Sequence, residues 1–468
     1  MRKARKGVRV LRRLSGRDWG WGKDLLRVTC VALVRSVLLY GSAAWAPWVS
    51  NTLWSKIERV QLEAARVVGG TLSSAPREAV LAEAGLCEVR KVAEGLWMAE
   101  LEKCLRASDE SARREWGMSV VRTRLVRKGW RVRAQELMNE LVPDGVERDE
   151  IVLGEAPWRC WTGVRWDVEG VKNENVDDCR KDALERMKKW GDTDVCVYTD
   201  GSAEEGVRMG GAAAVVTKGD PESPEVVEER LRAAGVVTSS YQAELYALLE
   251  ALLWLRENGT LWKRAMLVSD SQSGLVSLKS VRSGRRDELL WRIVGVGREV
   301  CSGEKELIFV WVPGHCGLVG NEMADVAAKR ASRSEQVGCV SMYKSVQCLW
   351  KRRERLVEWK HQRCREVYGD GVKVELERDW CRKDAVSMAR LRSGHSLELR
   401  GYRCRIGLAS EGDCRRCGEE VESVEHVFEC VAGLRKRWEL ELNGLSDLCC
   451  RPREALSYWE WWRRARLK

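Results

Sequence analysis

Four acidic side chains stand where the chain changes direction. Asp200 and Asp270 each close a β-type run, and Glu244 and Asp325 each fall in the first turn of a helical run. In an open α/β sheet, strand ends and the adjoining helix starts meet along one edge, so these four positions can converge there. Carboxylates brought that close repel one another and resist ionisation unless a divalent cation neutralises them. Hard oxygen ligands suit Mg²⁺ or Mn²⁺. Two such ions about 3.5–4 Å apart activate an attacking water and stabilise the leaving oxygen of an in-line phosphoryl displacement. A single acid at a strand end is more often a turn former or a helix cap, so the chemistry rests on the set. His315, in a Pro-Gly-His loop ten residues before Asp325, adds an imidazole able to move protons near neutral pH.

These residues need a sheet to hold them. Val195–Thr199 reads as a short strand ending in Asp200-Gly201-Ser202, Gly210–Val216 as a second and Val226–Val237 as a third. A helix opens at Ser239, where Ser239-x-x-Gln242 has the form of a capping box. Its apolar face is Leu245, Leu248, Leu249, Leu252 and Leu255. Ala265–Ser269 is the fourth strand, with a helix after Asp270. Glu306–Val312 is the fifth, followed by the loop Pro313–Gly317 and a last helix from near Asn321. Three strands and then alternating helix and strand predict an α/β domain, a mixed sheet with helices packed on it.

By spelling the set comprises Tyr198-Thr199-Asp200-Gly201-Ser202, Tyr241-Gln242-Ala243-Glu244-Leu245, Ser269-Asp270-Ser271 and Pro313-Gly314-His315 through Asn321-Glu322-Met323-Ala324-Asp325. From about 195 to 335 this resembles the type 1 ribonuclease H family, in the family's order. The resemblance implies that Asp200, Glu244, Asp270 and Asp325 bind two Mg²⁺ or Mn²⁺ ions, with Asp200 shared. It makes His315 the loop histidine that assists proton transfer or product release. The implied substrate is the RNA strand of an RNA·DNA hybrid, cut to leave a 3′-hydroxyl and a 5′-phosphate. Some family members carry a basic helix-loop insertion that grips the hybrid. Here Ser280–Cys301 holds Arg282, Arg285, Arg286, Arg292 and Arg298 but is too short for it.

A second cluster is Cys414-x₂-Cys417-x₈-His426-x₃-Cys430, a spacing suited to tetrahedral, structural Zn²⁺. Gly418 allows the tight turn that aims backbone N–H groups at thiolate sulfur, and His426 and Cys430 share one face of a helical turn. Arg403, Arg405, Arg415 and Arg416 flank it, and Trp459, Trp461, Trp462, Arg463 and Arg464 follow. Charge with stacking would serve single-stranded nucleic acid; the equal alternative makes those tryptophans helix core.

The flanks resemble another family. Leu38–Trp45, Gln61–Arg66 and Ala84-Gly85-Leu86 look like the region after the polymerase core of non-LTR (LINE-type) retrotransposon reverse transcriptases. Glu155-Ala156-Pro157-Trp158 resembles the connector of those polyproteins, and Arg392–Ser396 their C-terminal end. Polymerase chemistry needs an aromatic-x-Asp-Asp hairpin. The one Asp-Asp pair, Asp177-Asp178, lies in polar sequence with no strand pattern, so no polymerase site is expected. The resulting division is a helical thumb or connection remnant over 1–104, a charged connector and loop over 105–194 and the α/β domain over 195–335. A basic helical linker over 336–400 and a zinc-stabilised module over 401–468 follow.

Composition agrees. The chain has 468 residues, 44% hydrophobic and 32% charged, which excludes wholesale disorder and allows two or three domains. Residues 1–40 hold 11 Lys/Arg against 2 Asp/Glu, and 339–468 hold 28 against 21, whereas 195–334 hold 17 against 19. Basic flanks around a near-neutral centre place polyanion affinity at the ends. Val31–Val49 is apolar but interrupted by Arg35 and Pro47, so no membrane span is expected. The 18 scattered cysteines without a signal peptide read as reduced thiols of an intracellular protein, in nucleus or cytoplasm. The expected activity is a hybrid-directed endoribonuclease of a retroelement, partnered by an RNA·DNA hybrid, single-stranded nucleic acid and an upstream polymerase. The alternative is an inactive remnant that only binds nucleic acid.

Overall fold

The computed structural model describes residues 1–107, 115, 129–154, 161, 163–172, 175–281, 284–301, 304–336, 339–355, 359–369 and 380–464. Glu155–Trp158 and Arg282 lie outside them. The chain forms two compact units. One takes Met1–Trp97, Lys128–Trp130 and Arg352–Lys468, and the other takes Met98–Arg127 and Arg131–Lys351.

The second unit holds the acids. Its strands are β1 (Ile151–Gly154), β2 (Val164–Asp167), β3 (Val195–Glu204), β4 (Arg208–Lys218), β5 (Glu225–Val237), β6 (Arg264–Ser269), β7 (Gly284–Asp287) and β8 (Glu306–Trp311). Six of them form one sheet in the order β2-β8-β6-β3-β4-β5, and β1 pairs with β7 apart from it. β3, β4 and β5 are an antiparallel meander; β6, β8 and β2 run parallel to β3. Helices cover both faces, so β3 is apolar on both: Val195 and Val197 face one core, Cys196 and Tyr198 the other. On the first face lie α2 (Ser240–Glu257), α3 (Gln272–Lys279) and α4 (Glu288–Val300). On the second lie α1 (Val176–Lys188) and α5 (Val319–Ser332).

The mixed α/β class follows the sequence pattern, with local differences. Ser239 caps α2 by accepting from Gln242 N at 3.2 Å, but Gln242 does not close the box. Its amide instead donates to Ala234 O and Val340 O and its oxygen accepts from Met342 N and Ser345 Oγ, while the Ser239 N–H that the box would use donates to Ser345 Oγ at 2.9 Å. Helices α2 and α5 open at Ser240 and Val319, so Glu244 and Asp325 fall in their second turns, and Glu322 is the first-turn acid of α5. The connector also contributes to the sheet. β2 is too short to show a period of two, and its parallel pairing with β8 supplies what its sequence does not advertise. Asp177 and Asp178 sit in the first turn of α1, where carboxylates favour the helix dipole.

In the first unit, helices Arg2–Leu14, Lys23–Cys30 and Asn51–Gly69 pack together. The helical run Lys23–Trp48, with mean hydropathy 1.5, is long and apolar enough by composition to cross a membrane, contrary to the sequence expectation. Leu26, Cys30, Val34 and Leu38 of this run are nevertheless buried in the protein. Arg35, the interruption in that run, donates to Gln61 Oε1 and Cys87 O. Sequence-distant ends meet in this unit around Glu83, which accepts from Lys23 Nζ at 3.0 Å and Tyr368 OH at 2.9 Å, with Arg392 Nη1 at 3.5 Å.

Candidate active site

Strand pairing sets two of the acids side by side. Thr199 of β3 is in register with Ser269 of the parallel β6, so Asp200 and Asp270 lie at the same level. Asp270 follows the end of β6, but Asp200 is inside β3, which continues to Glu204 through its pairing with β4 and does not close at the acid as its sequence suggested. Glu244 reaches them because α2 crosses β3 at Gly201, where an added Cβ would come within 2.2 Å of Glu244 N. Only glycine permits that approach. One carboxylate oxygen from each of Asp200, Glu244 and Asp270 lies within 4.8 Å of the others.

Electrostatics follow from that crowding. Burial pushes Asp200 up to about 7, and the Asp270 and Asp325 charges add to it. Burial raises Glu244 well above the usual carboxylate range, with Asp200 and Asp270 reinforcing the shift. Asp270 is also raised, by burial first, while His315 and a hydrogen bond from Asn321 oppose it. Glu244 Oε2 is buried with no hydrogen-bond partner. Three hard oxygen donors, one of them orphaned, fit a divalent cation.

Asp325 stands apart from this trio. It groups with His315 and Glu322, again within 4.8 Å, and pairs with Lys329 Nζ at 2.7 Å. Its charge still acts on Asp200 and Asp270. His315 is exposed and left-handed, at φ 54°. Gly317 N donates to Glu322 Oε1 at 3.3 Å, which fixes the far side of the His315 loop. Asn321 and Glu322 belong to the sequence motif, and the structure brings both to the site. Buried Asn321 bonds Asp270, and Trp311 Nε1 donates to Asp270 O at 3.1 Å. A polar Asn in the small-residue start of α5 was the available signal; nothing in the strand pattern marked Trp311.

In the first unit, Cys414, Cys417, His426 and Cys430 also bring their ligand atoms within 4.8 Å of one another. Backbone N–H groups of Arg416 and Cys417 point at Cys414 Sγ, at 3.4 and 3.5 Å, and Gly418 turns the chain at φ 73°. Although burial opposes it, N–H groups of Glu419 and Glu420 and the neighbouring Cys414 and His426 bring the Cys417 thiol down to about 7. Ser423 caps the short helix Val424–Glu429 that carries His426, whose Nδ1 lies 2.9 Å from Glu420 Oε2. That contact leaves Nε2 facing Cys417, as a ligating histidine requires.

The tryptophan tail takes the core alternative. Trp459 and Trp462 are buried together with Cys414, Cys430 and Phe428. Arg415 is bound to Glu422, Glu398 O and Arg463 O, and Arg416 to Trp461 O while lying 3.3 Å over the Trp461 ring. Trp461 is only partly buried and Arg464 is exposed.

Residues 192–333 match the model of the RNase H family. Among solved structures the chain is similar to RNase H1 from the halophilic archaeon Halobacterium salinarum NRC-1, with 26% identity, 29% of this chain and 96% of that one covered, and a TM-score of 0.24. It is similar to LC11-RNase H1, solved in complex with an RNA/DNA hybrid, with 20% identity, 29% and 98% coverage and a TM-score of 0.25. A third similar structure is the N-terminal RNase H domain of a Mycobacterium tuberculosis protein fused to maltose-binding protein, with 22% identity, 30% and 92% coverage and a TM-score of 0.24. No curated protein matches the chain. The family match and the mixed sheet support an RNase H domain at residues 192–333 of this longer chain.

Proposed function

We propose that this domain hydrolyses the RNA strand of RNA·DNA hybrids. The observation that carries the reading is the meeting of Asp200, Glu244 and Asp270, with one orphaned carboxylate oxygen, inside the matched segment. A similar protein, LC11-RNase H1, has been solved with such a hybrid. Asp200, Glu244 and Asp270 would hold divalent cations, with Asp325 at the rim. Bound there, Mg²⁺ or Mn²⁺ supplies charge neutralisation and an acidified water for in-line phosphodiester hydrolysis. Asn321 orients Asp270 through its side-chain hydrogen bond. His315, exposed and near Asp270, would assist proton transfer to the leaving 3′ oxygen or product release. Cleavage of a labelled hybrid in Mg²⁺, run beside Asp200→Asn, tests the reading. Loss of cleavage in the variant supports it, equal cleavage points to a contaminant, and silence from both leaves a domain that only binds nucleic acid.

The Cys/His cluster is proposed to hold one structural Zn²⁺. Metal content after dialysis should be near one ion per chain and fall in Cys414→Ser; an unchanged value removes the site. The flanking motifs support an origin in a non-LTR retroelement reverse transcriptase, acting in nucleus or cytoplasm with an upstream polymerase.

A further inference from the structure

Resting on the nuclease reading, we infer that Val164–Lys172, ahead of the family match, is a positioning element for the loop that carries His315. β2 adds a sixth strand to the free edge of β8, in register from Val164↔Leu307 to Asp167↔Val310. Trp166 stacks on Phe309, with centroids 4.4 Å apart and planes 7° from parallel, and anchors the strand.

The chain leaving β2 then contacts the residues around Asp270. Gln272, two residues after that acid, donates from Nε2 to both Val168 O and Gly170 O at 3.1 Å. Gly170 presses on Trp311, where an added Cβ would come within 2.5 Å of the ring. Trp311 in turn bonds Asp270 O. Arg186 lies over the Trp311 ring at 5.4 Å and donates to Glu169 O at 2.8 Å. Finally, Lys172 Nζ donates to Gly314 O at 2.7 Å. Gly314 sits against the acid, since a Cβ there would lie 2.5 Å from Asp270 Oδ2. His315 comes next.

Among the described residues the His315 loop therefore has two side-chain tethers, Glu322 on its α5 side and Lys172 on the other. A left-handed, non-glycine residue keeps its conformation only where its surroundings impose it. Lys172 is a positioning residue: it touches no reacting atom and acts through the Gly314 carbonyl. Its ammonium is exposed, so the rival role is contact with a substrate phosphate.

Two readouts on the full chain separate these roles. In Lys172→Ala, hydrogen exchange of the amides from 314 to 318 should quicken, and Lys172→Arg should restore it. With an RNA·DNA hybrid, kcat should fall about tenfold with KM unchanged, short of the roughly 10²-fold cost of a 1 Å misplacement. In a His315→Ala background the same substitution should cause no further loss, because both act through one loop. Unchanged exchange overturns the proposal. So does a raised KM with a shallower salt dependence, which marks a phosphate contact, or a loss additive with His315→Ala. If exchange responds as expected but the wild-type chain cleaves no hybrid, the tether stands and the nuclease reading fails.

Discussion

Two sets of buried acids behave in opposite ways. Glu83 is fully enclosed, and burial alone would raise it, yet Lys23 and Arg392 charges and hydrogen bonds from Lys23 and Tyr368 hold it below the usual carboxylate range. Asp200 is also buried, but its neighbours are Asp270 and Asp325, and it rises to about 7. The chain supplies Glu83 with its own counter-charge. At the sheet edge, among the described residues, Lys329 pairs with Asp325 and no lysine or arginine pairs with Asp200, Glu244 or Asp270. A paired buried acid is structural; a cluster of buried acids without cations calls for one from outside.

The largest effect should come from breaking the paired set. Glu83→Gln leaves Lys23 and Arg392 buried without their anion, at a cost of about 3–5 kcal/mol. Urea unfolding of the full chain should show the loss, and adding Lys23→Met should recover part of it. A change below about 1 kcal/mol would mean that water already reaches the cluster. Breaking the unpaired set should cost activity rather than stability. Asp200→Asn should lower cleavage by roughly 10²–10³-fold, on the scale of losing one strong transition-state electrostatic contact. Metal-free, it should melt no lower than wild type, because a repulsive charge has gone. A lower melting point would place Asp200 with Glu83 among structural acids.

A smaller effect distinguishes the two by ligand. Mg²⁺ at a hundred times its dissociation constant should stabilise wild type by about 2.7 kcal/mol, read as a rise in melting temperature over protein in chelator. Asp200→Asn should lose most of that rise, and conservative changes at Tyr368 should leave it intact. An equal rise in every variant would place the ion elsewhere.

The unpaired set was legible in the sequence because its acids sit within or beside short runs whose period of two or 3.6 is a local property, although only Asp270 stands at the end of its strand. Asp200 and Asp270 needed only strand order to converge and Glu244 the crossing of α2 at Gly201, whereas the offset of Asp325 toward Lys329 depends on where α5 starts. The Glu83 cluster was not legible. Lys23, Glu83, Tyr368 and Arg392 are far apart in the chain and carry no spacing, so only the folded contact reveals that they belong together. β2 escaped for a related reason: four residues cannot display alternation, and its pairing with β8 is non-local. Trp459 and Trp462 show the limit of composition, since a Trp/Arg-rich tail reads equally as a base-stacking surface or as core until burial decides.

The smallest effect lies in pH. Glu83 has a lowered pKa in the folded chain, so between that value and its ordinary 4.5 the unfolded chain binds more protons than the folded one. Stability then rises with pH through this interval. The contribution of Glu83 is complete above about pH 4.5 and is lost as pH falls through the folded value. One proton gives a slope of at most about 1.4 kcal/mol per pH unit. Glu83→Gln should therefore be less stable than wild type at pH 7 and converge on it in acid, as both carry a neutral side chain there. Parallel profiles down to the lowest pH would show that the loss comes from altered packing rather than from the missing charge, and the contrast between the two sets of acids would then rest on the sheet edge alone.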